Sequence, residues 1–124
     1  KSKTYEALQI TVKPEDKNFI IHAIDGHISY EKNINDCYDK KREAKKEIND
    51  FFKMDGTDDT GNHPWDKTGK SKYSRTSYYL DDGGIVEIIC YDMGKKLEKK
   101  GKVDRFAITL KTKQFLNFLN NEAY

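Results

Sequence analysis

Tyr73-Ser74-Arg75-Thr76-Ser77-Tyr78-Tyr79-Leu80, Asp81-Asp82-Gly83-Gly84 and Ile85-Val86-Glu87-Ile88-Ile89-Cys90-Tyr91 follow one another without a break, and this stretch decides the fold. Two runs dense in β-branched and aromatic residues flank an Asp-Gly pair, which readily takes the positive φ angles of a tight hairpin turn. A two-residue turn at Asp82-Gly83, or a four-residue loop over 81–84, sets Leu80 opposite Ile85, and every other pair follows. One face then collects Tyr79 with Val86, Ser77 with Ile88 and Arg75 with Cys90. The other collects Leu80 with Ile85, Tyr78 with Glu87 and Thr76 with Ile89. Because Val86, Ile88 and Cys90 carry no charge, their face is expected to be the core side, with Glu87 on a half-solvated face. A lone hairpin is marginal in water, so the rest of the chain must cover that side.

Upstream, Thr4-Tyr5-Glu6-Ala7-Leu8-Gln9-Ile10-Thr11-Val12 alternates as a strand does. A turn over Pro14-Glu15-Asp16-Lys17-Asn18 leads to a second strand, Phe19-Ile20-Ile21-His22-Ala23-Ile24. Asp25-Gly26 then signals another hairpin turn, with His27-Ile28-Ser29-Tyr30 as a short third strand. From Asn33 the period lengthens: Ile34, Cys37, Tyr38, Lys41, Ala44, Ile48, Phe51 and Phe52 share one stripe of a long helix. Asn33 or Asn35 suits its N-cap, and Asp36 puts a negative charge in its first turn. Residues 53–72 show no periodicity and read as a long polar loop; loops of that length are commonly functional or disordered.

Downstream, a basic connection from Asp92 to Lys102 has room for a helical turn over 95–100, and Arg105-Phe106-Ala107-Ile108-Thr109-Leu110 alternates as a strand. Thr112 can cap a C-terminal helix with Phe115, Phe118, Leu119 and Ala123 along its apolar stripe. Residues 1–124 are therefore expected to form a single α+β domain. Its mostly antiparallel sheet has five or six strands in the order β-β-β-α-β-β-β-α, with one long helix across a face and a C-terminal helix nearby.

The 23 basic and 21 acidic residues leave a net charge of only +2, which gives no field strong enough to demand nucleic acid or an anionic membrane as partner. Charged residues make up 35% and aromatic ones 12%, enough bulky material for one core. No apolar run approaches the roughly 18 residues of a membrane span. The chain begins at Lys1 rather than Met, so a processed product is expected, from which any leader would already be gone.

The two cysteines converge. Cys37 lies on the helix's inward stripe and Cys90 on the hairpin's inward face, so packing helix on sheet brings them to roughly the 4.4–6.8 Å Cα separation of a disulfide. A bond implies a periplasmic or secreted protein; two unpaired buried thiols would imply a cytoplasmic one.

Other motifs carry less. Thr68-Gly69-Lys70-Ser71 lacks the earlier glycine of a phosphate-binding loop, having Pro64 there, and a strand rather than a helix follows it. Asp55, Asp58, Asp59 and Asp66 lack the order of a helix-flanked calcium loop and are read as keeping the loop solvated. His22 and His27, paired across the Asp25-Gly26 turn, would make half a metal site. No serine sits in a nucleophile-elbow context. Lysines on the first helix and over 95–102 are interleaved with glutamates, as solvated faces are.

Trp65 is the single tryptophan. A ring of that size in a loop either docks on the domain or anchors a partner, and docking is the expectation. His63, Trp65, Lys70 and Arg75 are the candidate binding residues, with no catalytic, metal or cofactor set assigned. The leading functional expectation is a small non-enzymatic binding or inhibitory module of an extracytoplasmic compartment that meets a protein or peptide near the long loop. The alternatives are a metal-assisted hydrolase using His22, His27 and loop acids, and a weak nucleic-acid binder through its lysine-rich faces.

Overall fold

The structure is a computed structural model, which describes residues 7–12, 21–31 and 33–113. The expected turn over 14–18 and the body of the C-terminal helix lie outside the described residues.

The elements run β1 (Ala7–Val12), β2 (Ile21–Ser29), α1 (Ile34–Phe52), β3 (Thr57–Asn62), β4 (Lys72–Tyr79), β5 (Ile85–Asp92), α2 (Lys95–Glu98) and β6 (Arg105–Lys111). All six strands join one antiparallel sheet in the order β1-β2-β6-β5-β4-β3. The α+β class therefore holds, while the order of elements differs from expectation. β6 returns from the chain's far end to lie between β2 and β5, knitting the β1–β2 pair to the β3–β4–β5 meander.

Two differences arise upstream. Asp25-Gly26 is not a turn: β2 passes through it, pairing Asp25 with Thr109 and Gly26 with Ile108. A hydrogen bond of 2.7 Å from Thr109 Oγ1 to Asp25 Oδ1 satisfies the carboxylate within the sheet. The long loop is also part strand. Thr57–Asn62 forms β3 along the edge of β4, although Thr-Asp-Asp-Thr-Gly-Asn has no apolar alternation. Backbone pairing and cross-strand polar contacts hold it there, the latter from Thr76 to Asp58 and from Arg75 to Asp59.

The central hairpin forms, one residue out of the expected register. Tyr79 pairs with Ile85, Tyr78 with Val86, Thr76 with Ile88 and Ser74 with Cys90. The cause lies in the turn. Gly83 N donates to Leu80 O, Leu80 N donates to Gly84 O, and Gly83 has φ +91. That is a three-residue loop closed by a glycine bulge, so Leu80 faces Gly84 instead of Ile85. Asp82 Oδ1, accepting from Gly84 N at 2.8 Å, holds the bulge.

The slip exchanges the faces of β4. Tyr78 and Thr76 join Val86, Ile88 and Cys90 in the core with Ile28 and Phe106. Tyr73, Arg75, Ser77 and Tyr79 take the opposite face. The inward side of β5 is as expected; Arg75 beside Cys90 is not.

α1 covers the core face. Asn33 caps it, with Oδ1 accepting from Asp36 N and Nδ2 donating to Asp36 Oδ2. Cys37 and Ala44 are its buried residues, and the small side chain at 44 lets the helix approach closely. Cys37 and Cys90 are disulfide-bonded with a Cα separation of 6.0 Å, fastening the first turn of the helix to the sheet. Farther along, the Tyr78 hydroxyl meets the Asn49 amide at 2.7 Å. Among the described residues no helix is long and apolar enough to cross a membrane.

Candidate binding site at the Trp65 loop

Between β3 and β4 the chain turns through residues 63–71, and one carboxylate organises the turn. Asp66 Oδ1 accepts from Thr68 N at 3.0 Å and Thr68 Oγ1 at 2.6 Å, while Oδ2 accepts from Ser71 Oγ at 2.6 Å. Ser71 Oγ in turn accepts from Gly94 N at 2.8 Å. These donors hold the Asp66 carboxyl at a pKa of about 2, Ser71 contributing most. The loop's mouth is closed by His63 N donating to Ser71 O at 2.8 Å. It is also pinned from below: a Cβ at Gly94 would come within 2.8 Å of Lys70 Cβ, so only glycine admits the loop this closely to the start of α2.

The rigid base presents Trp65 outward. Asp66 and Ser71 are buried, His63 is 7% exposed and Trp65 is 63% exposed, so the expected docking of the indole is overturned. His63 is instead the support. Its Nδ1 accepts from Trp65 N at 3.2 Å, and its ring sits 5.4 Å from that of Trp65 and 5.6 Å from that of Tyr91. Burial, then the charge of Arg105, pushes its pKa down, with Asp66 pulling the other way. The imidazole is therefore neutral near neutrality, as a hydrogen-bond acceptor at Nδ1 must be.

Beside the loop, on the sheet face away from α1, Asn62, Pro64, Tyr73, Arg75, Ile89 and Tyr91 line an open groove of about 410 Å³. Register explains the set: Tyr73 faces Tyr91, and Tyr91 faces Arg105 across β6. Cations lie against the rings, with Lys102 Nζ 5.2 Å from the Trp65 centroid, Arg105 5.0 Å from Tyr91 and Arg75 5.1 Å from Tyr73.

Of the candidate residues, Trp65 stands at the rim, His63 beneath it and Arg75 in the groove wall, while Lys70 is exposed on the loop's far limb. Arg75 is already engaged. Its Nε and Nη2 donate to the two Asp59 oxygens at 2.9 and 2.7 Å, with Glu87 3.7 Å away. Its role is to shape the wall, and its charge is spent on Asp59.

Tyr73, Tyr91 and Arg105 belong to the site but escaped the sequence reading, while Lys102 was read there only as part of a solvated lysine-rich face. A hairpin register counted with a glycine bulge would have put the two tyrosines opposite each other. Nothing local announces Arg105, because its position depends on β6 returning to pair with β5.

Among the described residues the arrangement does not gather a metal set. His22 and His27 lie five residues apart on one strand, about 16 Å of chain, because the turn meant to pair them does not exist. Asp58 accepts from Lys45 and Thr76, Asp59 from Arg75 and Asp66 from its own loop, so the loop acids point to separate partners. Among the described residues no group of three metal-ligating side chains is placed to share an ion.

The chain matches no family model, no curated protein and no solved structure. Fold and geometry therefore carry the functional argument alone.

Proposed function

We propose that this protein is a small non-enzymatic binding or inhibitory module of a periplasmic or secreted setting, meeting a protein or peptide through Trp65 and the adjoining groove. The observation that carries the reading is the contrast between the indole and its base. An aromatic 63% exposed to water stands on a loop whose buried Asp66 carboxylate is satisfied by Thr68 and Ser71 and whose Trp65 N–H is taken by His63. Exposing so large an apolar surface gains nothing for folding, while a rigid aromatic anchor loses little entropy on binding. The Cys37–Cys90 bond fits an oxidising compartment.

Trp65 is the chain's single tryptophan, so its fluorescence reports the site directly. Peptides enriched by panning a random display library on the folded protein should shift that emission to the blue. They should also lose at least about tenfold in affinity for Trp65→Ala. Failure to enrich any peptide, or equal affinity for the variant, would overturn the proposal.

A further inference from the structure

The site sits within a strongly one-sided distribution of charge. Segments 63–72 and 92–105 hold nine basic and four acidic residues, a local balance of +5 in a chain whose net charge is +2. The two segments form one surface: Lys70 packs on Gly94, Gly94 N donates to Ser71, and Lys102 lies over Trp65.

Two of the four acids in that balance are turned inward, away from the surface a partner would meet. Asp66 is consumed by its loop, and Asp104 is buried, accepting from Met93 N at 2.7 Å. Among the described residues the ion pairs lie elsewhere, joining Lys40, Arg42, Lys45, Arg75 and Lys111 to their carboxylates. Among the described residues Lys67, Lys70, Lys102 and Arg105 have none. Arg105 Nε is shut away from solvent with no acceptor among the described residues, although a buried guanidinium donor ordinarily has one.

From this we infer that the partner's contacting segment is an acidic peptide, whose apolar side chain rests against Trp65 and the groove while its carboxylates meet Lys70 and Lys102. The inference rests on the binding-module reading and adds the partner's chemistry. Charge complementarity argues for it: the rim carries a net excess of positive charge, and Tyr73 and Tyr91 line the groove.

A nucleic-acid strand fits less well, because successive bases need a row of accessible rings. Here Trp65 is the exposed one, while Tyr73 and Tyr91 lie half-buried against Arg75 and Arg105. A membrane surface fits less well too. Among the described residues the other exposed large apolar side chains, Phe51, Tyr79 and Leu110, stand toward the opposite end of the sheet, so of these Trp65 alone would enter the lipid from this end.

The same display library decides the matter in parallel with a Lys70→Glu/Lys102→Glu variant. Both lysines are exposed, and an unchanged melting temperature will verify the fold. Peptides enriched on the native chain should be rich in Asp and Glu and should bind about tenfold more weakly when those residues become Gln or Asn. The double variant should enrich basic peptides instead. Charge-neutral or basic peptides on the native chain would overturn the acidic partner and leave the binding module standing; no enrichment at all would overturn both. Stronger shifts of Trp65 emission by a single-stranded DNA 20-mer, or by phosphatidylserine vesicles, than by the selected peptides would also reject the inference.

Discussion

The side of the sheet formed by α1, β3 and β4 and the end formed by the Trp65 loop and α2 treat charge in opposite ways. On the first, Lys45 pairs with Asp58 at 2.8 Å, Arg75 with Asp59, Arg42 with Asp39 and Lys40 with Glu43. On the second, basic residues outnumber acidic ones nine to four, and a tryptophan stands in water. A segment as polar as β3 needs its charges answered to stay on the sheet edge. The Trp65 loop is held by buried neutral and carboxylate hydrogen bonds, so its outer charges and its aromatic ring are surplus to folding. That surplus is where binding is to be sought.

The contrast breaks most visibly at its structural pole. The Cys37–Cys90 bond closes a chain segment with a sequence separation of 53, and restricting so long a loop in the unfolded state contributes about 4 kcal/mol. Reduction, or replacement of both cysteines by alanine, should lower the guanidinium midpoint accordingly. An unchanged midpoint would mean that the helix is held to the sheet by packing alone.

Smaller effects sharpen the division. Tyr78→Phe removes the hydroxyl that meets Asn49 in the interior of the structural side, and should cost about 1 kcal/mol in denaturant unfolding. Trp65→Ala removes a far larger side chain from the other end, yet should move stability by no more than about 0.5 kcal/mol. If the tryptophan change proved the costlier of the two, the indole would be part of the fold and the functional assignment of the loop would fail.

This division also governs what the chain discloses before it is folded. Alternation along β5 and the stripe of α1 are written by burial against the core, so Val86, Ile88, Cys90, Cys37 and Ala44 could be read, and with them the disulfide. β3 could not, because its place comes from the pairing offered by β4 and from acids answered across strands. Asp25-Gly26 carries a turn's composition in a strand whose neighbour, Thr109, supplies the missing hydrogen bond. The hairpin was legible but its register was not, since one glycine in a bulge turns every β4 side chain over. Trp65 was legible as a residue to watch. That it faces water depends on Asp66, Ser71 and Gly94 meeting across distant parts of the chain.

The subtlest effect concerns His63, where the two regimes meet beneath the indole. The ring is neutral and accepts the Trp65 N–H at Nδ1; a proton there would abolish that bond and add a charge near Arg105 and Lys102. Its folded pKa lies below the ordinary value near 6.5, through burial first and Arg105 second. The unfolded chain therefore binds the proton more readily than the folded one. This contribution to stability is complete above the ordinary value and is lost as pH falls through the folded one. Proton NMR of the histidine ring should give a midpoint below 6.5. Asp66→Asn should lower it further, because that carboxylate favours the imidazolium, and Arg105→Met should raise it. Movement in the opposite directions would show that the ring lies outside the field of the cationic end, and Trp65 would then be supported by geometry alone.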